Sequence, residues 1–204
     1  GQSQAINQGF RLATGEVFAW INSDDYYLPG TFHKVVKRFH TDPHIQFAVG
    51  AGDVISKTHG FLRHVTALPM DLETMLNWRH DPWVMQQSCF WTRSLWQEAE
   101  GVDESLHLLM DYDLWFRFSK LTEADVIEDT LAVMRYYPEV KTERQKGRFS
   151  EEMAYVLAKN VDYNDVRSLV ADLAKQKLEA QDHLSRFQDR WAVRLSKRLG
   201  LLPR

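Results

Sequence analysis

The sequence has few of the features that cross-link, anchor or export a chain. It contains a single cysteine, Cys89, so an intrachain disulfide is excluded. No apolar run is long enough to span a bilayer, and no basic-then-apolar signal segment stands at the start. The first residue is Gly rather than Met. We therefore expect a cytoplasmic location, and a chain that is a fragment or a processed product.

A strong charge of one sign is also lacking, because the net charge of the 204 residues is only −3. This value argues against nucleic-acid binding by the chain as a whole. The charge is uneven, because residues 175–204 hold eight Lys and Arg against three Asp and Glu, a local charge of +5. As a helix, this segment would carry an apolar stripe of Leu184, Phe187, Trp191, Leu195 and Leu199. Such a helix suits an anionic membrane surface, its own domain or a second subunit of a homo-oligomer.

Sequence motifs for zinc and for phosphate-binding loops are absent. The eight His residues are scattered, without HExxH or Cys/His spacing, and neither a Gly-rich phosphate loop nor a Rossmann fingerprint occurs. The 44% hydrophobic content nevertheless suits one substantial core plus an appendage.

Apolar periodicity predicts alternating helices and strands in residues 1–149. The first expected helix is 4–14, capped by Ser3 and Gly15. A second helix is expected from the apolar stripe of Phe32, Val35, Val36 and Phe39. Further helices are expected at 71 to about 78, for a short stretch after Arg93, and at 113–121. The expected strands or extended segments are 17–21, 46–49, 53–56, 61–66, 83–91, 124–127 and 131–137. From Ser150, read as an N-cap, residues 150–204 are expected to be helical to nearly Leu199, with a break near 160–165.

Two acidic groups stand where such a fold collects ligands. Asn22-Ser23-Asp24-Asp25 follows the predicted strand 17–21, and ligands of open α/β sheets gather at the carboxyl ends of strands. A divalent cation bound there by one or two carboxylates could hold phosphate oxygens. Taken alone, the pair could equally begin a turn, and Asp111 and Asp113 could cap a helix.

The order of several motifs favours a functional interpretation. Together they resemble the family 2 glycosyltransferases of the GT-A fold over residues 1 to about 142. The segments that carry the resemblance are Gly1–Phe10, Ala13–Glu16, Asn22–Asp25, Gln86–Arg93, Gly101–Leu106 and Asp111–Arg117. The resemblance implies a truncated GT-A-like mixed sheet flanked by helices, followed by a helical tail, because the family's first nucleotide-binding strands are missing.

The resemblance also implies roles for individual residues. Asp25 would be the direct ligand to Mn²⁺ or Mg²⁺, Asp24 a donor-side group, and Asp111 the catalytic base that leads to inversion at the sugar carbon. The remaining expected donor or acceptor contacts are Gln87, Arg93, Asp113 and Lys141, although a surface turn would also explain Gln87 and Arg93. Two positions depart from the family, since Met110 replaces the usual Glu and Tyr137 stands where relatives often have His.

We therefore predict an inverting glycosyltransferase that takes a nucleotide-sugar donor, expected to be UDP-linked, and a glycan or lipid-linked acceptor. The alternative is a glycosyltransferase remnant that binds a partner without catalysis. A metal-dependent nucleotidyltransferase is a second alternative, but the Asp111–Trp115 block favours glycosyl transfer.

Overall fold

The computed structural model describes residues 1–56, 60–77, 84–137 and 145–162, with the single positions 164, 167, 171, 175 and 181. The chain divides into two compact units, Gly1–Asn160 and Val161–Arg204. The predicted tail helix beyond 181, with its apolar stripe, lies outside the described residues. The predicted domain boundary near Phe149 stays a prediction, and that residue lies within a helix of the first unit.

The first unit alternates helices and strands, as the periodicity predicted. Its helices are α1 (Gln2–Leu12), α2 (Thr31–Thr41), α3 (Leu72–Asn77), α4 (Arg93–Glu98), α5 (Met110–Leu121) and α6 (Lys146–Asn160). Its strands are β1 (Val17–Phe18), β2 (Tyr26–Tyr27), β3 (Phe47–Ser56), β4 (Gly60–Val65), β5 (Cys89–Thr92) and β6 (Ala124–Tyr136), and a 3₁₀ turn (Gln86–Ser88) precedes β5.

Six strands of the described residues form one mixed sheet. Its order is β1-β5-β3-β6-β2, and β4 forms a hairpin with β3. The long central pair β3 and β6 is parallel, whereas the other pairs are antiparallel. The predicted α/β class with a mixed sheet flanked by helices is therefore confirmed.

Alternating side chains of the central strands build a core on each face of the sheet. Phe90 and Ala48 pack with Val35 of α2 on one face. Their neighbours Trp91 and Phe47 join Trp115 of α5 on the other, where Phe47 stacks on Trp115 with ring centroids 5.3 Å apart. Because successive strand residues point to opposite faces, the neighbouring pairs Phe47–Ala48 of β3 and Phe90–Trp91 of β5 each contribute to both cores.

The ends of α1 differ from the prediction. Ser3 is not an N-cap but lies inside the helix, 2% exposed, where its hydroxyl donates to the Leu106 carbonyl at 2.5 Å. At the other end, Ala13 is already extended, with φ −67° and ψ 137°. Gly15 therefore does not cap the helix in a left-handed conformation.

Strand boundaries show a second difference, because segments predicted as separate strands are continuous. β3 runs through Gly50 and Gly52, which lie between the predicted strands 46–49 and 53–56. A Cβ on Gly52 would stand 2.6 Å from Met85 Cε, so glycine permits close packing here rather than a turn. β6 likewise joins the predicted strands 124–127 and 131–137 but ends at Tyr136, and its register against β3 shifts around Gly50–Gly52. By contrast, β1 is shorter than predicted.

Asp71 caps α3, since its Oδ1 accepts from the Thr74 amide at 2.7 Å. The predicted N-cap of the last helix is wrong, because α6 begins at Lys146 and the Ser150 hydroxyl donates to the Lys146 carbonyl at 3.2 Å. In α2, only part of the apolar stripe is covered: Val35 is 2% exposed, but Phe32 is 60% exposed.

Candidate active site

A pocket of about 910 Å³ opens where β1 ends. Its walls come from α1, the loop after β1, the 3₁₀ turn before β5 and the first turn of α5. These elements meet because β5 pairs with both β1 and β3, which brings the turn before β5 beside the loop after β1. The pocket therefore occupies the sheet edge at which the sequence predicted a ligand.

The structure brings two of the predicted site residues together on this pocket. Asp24 lines it from the loop after β1, and Asp111 lines it from the second residue of α5. Asp24 is exposed, whereas Asp111 is half-buried. The two carboxylates are 87 positions apart in sequence, so their common pocket is produced by the fold and not by local spacing.

Burial perturbs the acidity of Asp111. Removal from water raises the pKa of this carboxyl from 3.8 to about 6, against the opposing effect of hydrogen bonds from backbone amides, including that of Tyr112 at 2.8 Å. The N-cap of α5 is Leu109, so Asp111 does not occupy the capping position. A carboxyl with this pKa is ionised at neutral pH and is still a stronger base than an ordinary aspartate.

Asp25 is held by its surroundings rather than exposed on the pocket wall. Its Oδ2 accepts from Gln87 Nε2 at 2.5 Å and from Asn22 Nδ2 at 3.3 Å. Its Oδ1 accepts from the Arg135 amide at 2.9 Å. Asp25 thus ties the loop after β1 to the 3₁₀ turn and β6, and the buried Gln87 contacts Asp25 rather than lining the pocket.

Two other predicted contacts lie away from the pocket lining. Arg93 donates through Nη2 to the Gly15 carbonyl at 2.6 Å and so fastens the segment before β1. Asp113 is fully buried, and its carboxylate accepts from Arg117 Nη2 at 2.8 Å and from Asn160 Nδ2 at 2.9 Å. Asp113 thus links α5 to α6. Lys141 lies outside the described residues.

A metal ion at this pocket would need an open site, completed by substrate and water, rather than a closed site made by the chain alone. No group of three or more His, Cys, Asp or Glu within the described part of the chain could hold a metal ion. A magnesium-type ion, however, is commonly bound by one or two carboxylates together with substrate phosphates and water. Such a site could use the exposed Asp24 carboxylate. It could also use Oδ1 of Asp25, which accepts one hydrogen bond, from the Arg135 amide.

Several pocket residues were not identified from the sequence. Trp20 forms an apolar wall and stacks on Trp115 with ring centroids 5.9 Å apart. Gln86 donates to the Trp20 carbonyl at 2.8 Å, and His107 and Tyr137 also line the pocket. Gln86 and Tyr137 stood inside recognised motifs, but His107 carried no sequence signal.

Among the described helices, none is long and apolar enough to cross a membrane.

Structural comparison shows the likeness of the fold. The chain resembles the crystal structure of Staphylococcus aureus TarS residues 1–349 in complex with UDP, with TM-score 0.57 and 14% identity, over 78% of this chain and 44% of that one. A longer TarS structure gives TM-score 0.53 at 13% identity, over 84% of this chain and 30% of that one. These values support the predicted GT-A-like fold.

Sequence comparison points to the same group of proteins. Residues 1–97 match the family described as Glycosyl transferase family 2. Uncharacterized glycosyltransferases of Rickettsia conorii and Rickettsia felis are each 26% identical over 144 residues, which is 68% of this chain. The chain spans about a quarter of the length of these relatives, 24% in both cases. The family match over residues 1–97, the two relatives and the fold all show similarity to glycosyltransferase family 2.

Proposed function

We propose that this chain transfers a sugar, with inversion, from a metal-bound nucleotide-sugar donor to an acceptor hydroxyl. The observation that carries the proposal is the pair of carboxylates on one pocket: Asp24 is exposed to solvent, and Asp111 is desolvated with a pKa raised to about 6. The pair separates two tasks, because an exposed acid suits a cation and a desolvated one suits proton transfer.

Asp111 is the base in this proposal. The acceptor hydroxyl gives its proton to the Asp111 carboxylate while its oxygen bonds to the anomeric carbon and the bond to the diphosphate breaks. Attack from the side opposite the leaving group inverts the carbon. A base with a pKa of about 6 is ionised at neutral pH and remains basic enough to accept the proton in the transition state.

Asp24 and Asp25 form the donor side. A bound Mn²⁺ or Mg²⁺ would stabilise the charge that develops on the departing diphosphate. Asp24 would offer its pocket-facing carboxylate, and Asp25 would contribute as a ligand while its bonds to Gln87 and Arg135 fix the loop. The proposed donor is UDP-linked, by analogy with the UDP complex of TarS, and the proposed acceptor is a glycan or lipid-linked glycan.

Substitution of the two carboxylates tests the proposal. The protein should be prepared with any sequence encoded upstream of Gly1, and transfer should be measured with Mn²⁺ present. Asp111→Asn should lower kcat by roughly 10²–10⁴-fold and leave donor binding nearly unchanged, because only the proton acceptor is lost. Asp25→Asn should weaken metal-dependent donor binding as well as turnover.

The matched control is Glu98→Gln, which neutralises an exposed carboxylate at the end of α4 and should leave both parameters unchanged. Full activity in Asp111→Asn would contradict the assignment of the base. A wild-type protein that folds but transfers no sugar from any nucleotide-sugar would instead favour the non-catalytic remnant.

A further inference from the structure

The segment that leads into the proposed base has no regular secondary structure. Between α4 and α5 the chain runs through residues 99–109, where Glu100 and Gly101 have φ values of +60° and +73°. The last three residues of this segment, His107–Leu109, precede the first turn of α5, and two of them line the pocket. The position of Asp111 therefore depends on what holds an irregular segment in place.

One side of the segment is held by α1. Asn7 Nδ2 donates to the Val102 carbonyl at 2.9 Å, and the Val102 amide donates back to Asn7 Oδ1 at 3.0 Å. One turn earlier in the helix, the Ser3 hydroxyl donates to the Leu106 carbonyl. None of these bonds involves the amides of His107–Leu109.

A single carboxylate from α6 accepts all three of these amides. Glu152 Oε2 accepts from the Leu108 amide at 2.8 Å and from the Leu109 amide at 3.1 Å. The His107 amide donates to Oε1 at 3.0 Å, and Arg148 Nε donates to the same oxygen at 2.9 Å. Glu152 is only 7% exposed, so a charged group has been withdrawn from water to make these bonds.

We infer that Glu152 is a positioning residue, whose carboxylate holds the backbone of His107–Leu109 and thereby fixes the pocket wall and the first turn of α5. The inference rests on the proposed function, in which that turn carries the base. Glu152 itself touches no reacting group. It acts because a buried amide without an acceptor is costly, so the three amides keep the segment folded against α6.

The second attachment of α6 to α5 supports the same role. Lys159 Nζ lies 3.1 Å from Asp113 Oδ1 and 2.8 Å from Asp103 Oδ2, and the Tyr155 hydroxyl donates to Asp103 at 3.1 Å. One helix thus holds the backbone just before Asp111 and a side chain two residues after it. Asp111 has little freedom to move between these two points.

Glu152→Gln tests the inference, because it keeps the size of the side chain but removes one acceptor oxygen and the charge. Glu151→Gln is the matched control, since Glu151 is the exposed neighbour on the same helix. Two measurements are made on each variant. Amide hydrogen exchange measures how well the His107–Leu109 amides are protected from water. ¹³C carboxyl NMR measures the titration midpoint of Asp111. Among the described residues, ionisable groups that share the pocket with Asp111 are Asp24, His107 and Tyr137, and Cys89 of β5 interacts with it from the core.

In Glu152→Gln, exchange at His107–Leu109 should accelerate at least tenfold, and exchange in β3 should not change. Water then reaches the loosened turn, so the titration midpoint of Asp111 should fall from about 6 toward 3.8. Glu151→Gln should match the wild type in both measurements. Unchanged exchange at the three amides would overturn the inference. So would faster exchange with an unmoved midpoint, because Glu152 would then support the backbone without positioning Asp111.

The two proposals can fail separately. If the wild-type titration midpoint of Asp111 is near 3.8, the assignment of Asp111 as the base fails. The exchange data still decide whether Glu152 holds the segment. If Glu152→Gln does not fold, Glu152→Asp replaces it. That variant keeps the carboxylate one methylene shorter, and we expect smaller changes of the same sign. No change in either measurement with Glu152→Asp would overturn the inference.

Discussion

Replacement of Asp111 by Asn should make the chain more stable at pH 8 while it removes the proposed base. The folded-state pKa of Asp111, about 6, lies above the usual value of 3.8, so the folded chain binds the proton more tightly than the unfolded chain. The free energy of unfolding is therefore highest below about pH 4 and falls as the pH rises through 6. Above that window, the wild type carries the full cost of a desolvated charge.

The size of this cost follows from the two pKa values. A difference between 3.8 and about 6 corresponds to at most about 3 kcal/mol. Because Asp111 is half-buried on an open pocket, screening by water reduces the expected gain from Asn to about 1–2 kcal/mol. The Asn side-chain oxygen can still accept from the Tyr112 amide, so that hydrogen bond is retained.

Urea unfolding at pH 8 and at pH 4 measures the difference. Asp111→Asn should raise the free energy of unfolding at pH 8 and should match the wild type at pH 4, where Asp111 is protonated in the folded chain. The control, Asp24→Asn, changes an exposed carboxylate and should stay within about 0.5 kcal/mol at both pH values. A loss of about 1 kcal/mol at pH 8 would refute the reasoning, because that is the signature of a helix-capping aspartate.

Two further predictions concern the sheet and the tail. Gly50→Ala should lower the free energy of unfolding in urea by about 1–3 kcal/mol, because the added Cβ would overlap the Leu131 side chain. The control Gly9→Ala should not lower it, since the space around its Cβ position is open. The basic segment 175–204, if it forms the predicted amphipathic helix, should carry the chain upward with anionic vesicles in flotation; a chain that stays at the bottom with or without the tail would exclude membrane contact.

Sequence reasoning identified most elements of the first unit but misplaced their ends. Periodicity located α2 and α5 because each has apolar residues at helical spacing. It divided β3 at its glycines because glycine is a turn residue when only neighbours in sequence are considered. The reason for Gly50 and Gly52 lies in Leu131 and Met85, which contact them across the sheet, and such partners are invisible to a local pattern.

The same limit applies to the site. The order of the motifs predicted that Asp24 and Asp111 share a site, and the structure puts both on one pocket. The resemblance assigned the base to Asp111 and a donor or acceptor contact to Asp113, although both stand in the first turn of one helix. Side-chain direction separates them, because one lines the pocket and the other is fully buried beside α6. Glu152 had no signal at all, since it looked like an ordinary acidic residue near a helix start.

The stacking of Trp20 on Trp115 gives the pocket a natural optical reporter. Trp20 forms part of the pocket wall, and its indole also meets Trp91 edge-on at 5.2 Å, so the three rings are close enough to exchange excitation energy. Trp91 and Trp115 are almost fully buried, whereas Trp20 is only half-buried. A molecule that enters the pocket contacts Trp20, the most accessible of the three, and therefore alters the fluorescence emission of all three indoles. Occupancy can be followed in the unlabelled protein, even for ligands that absorb no light themselves.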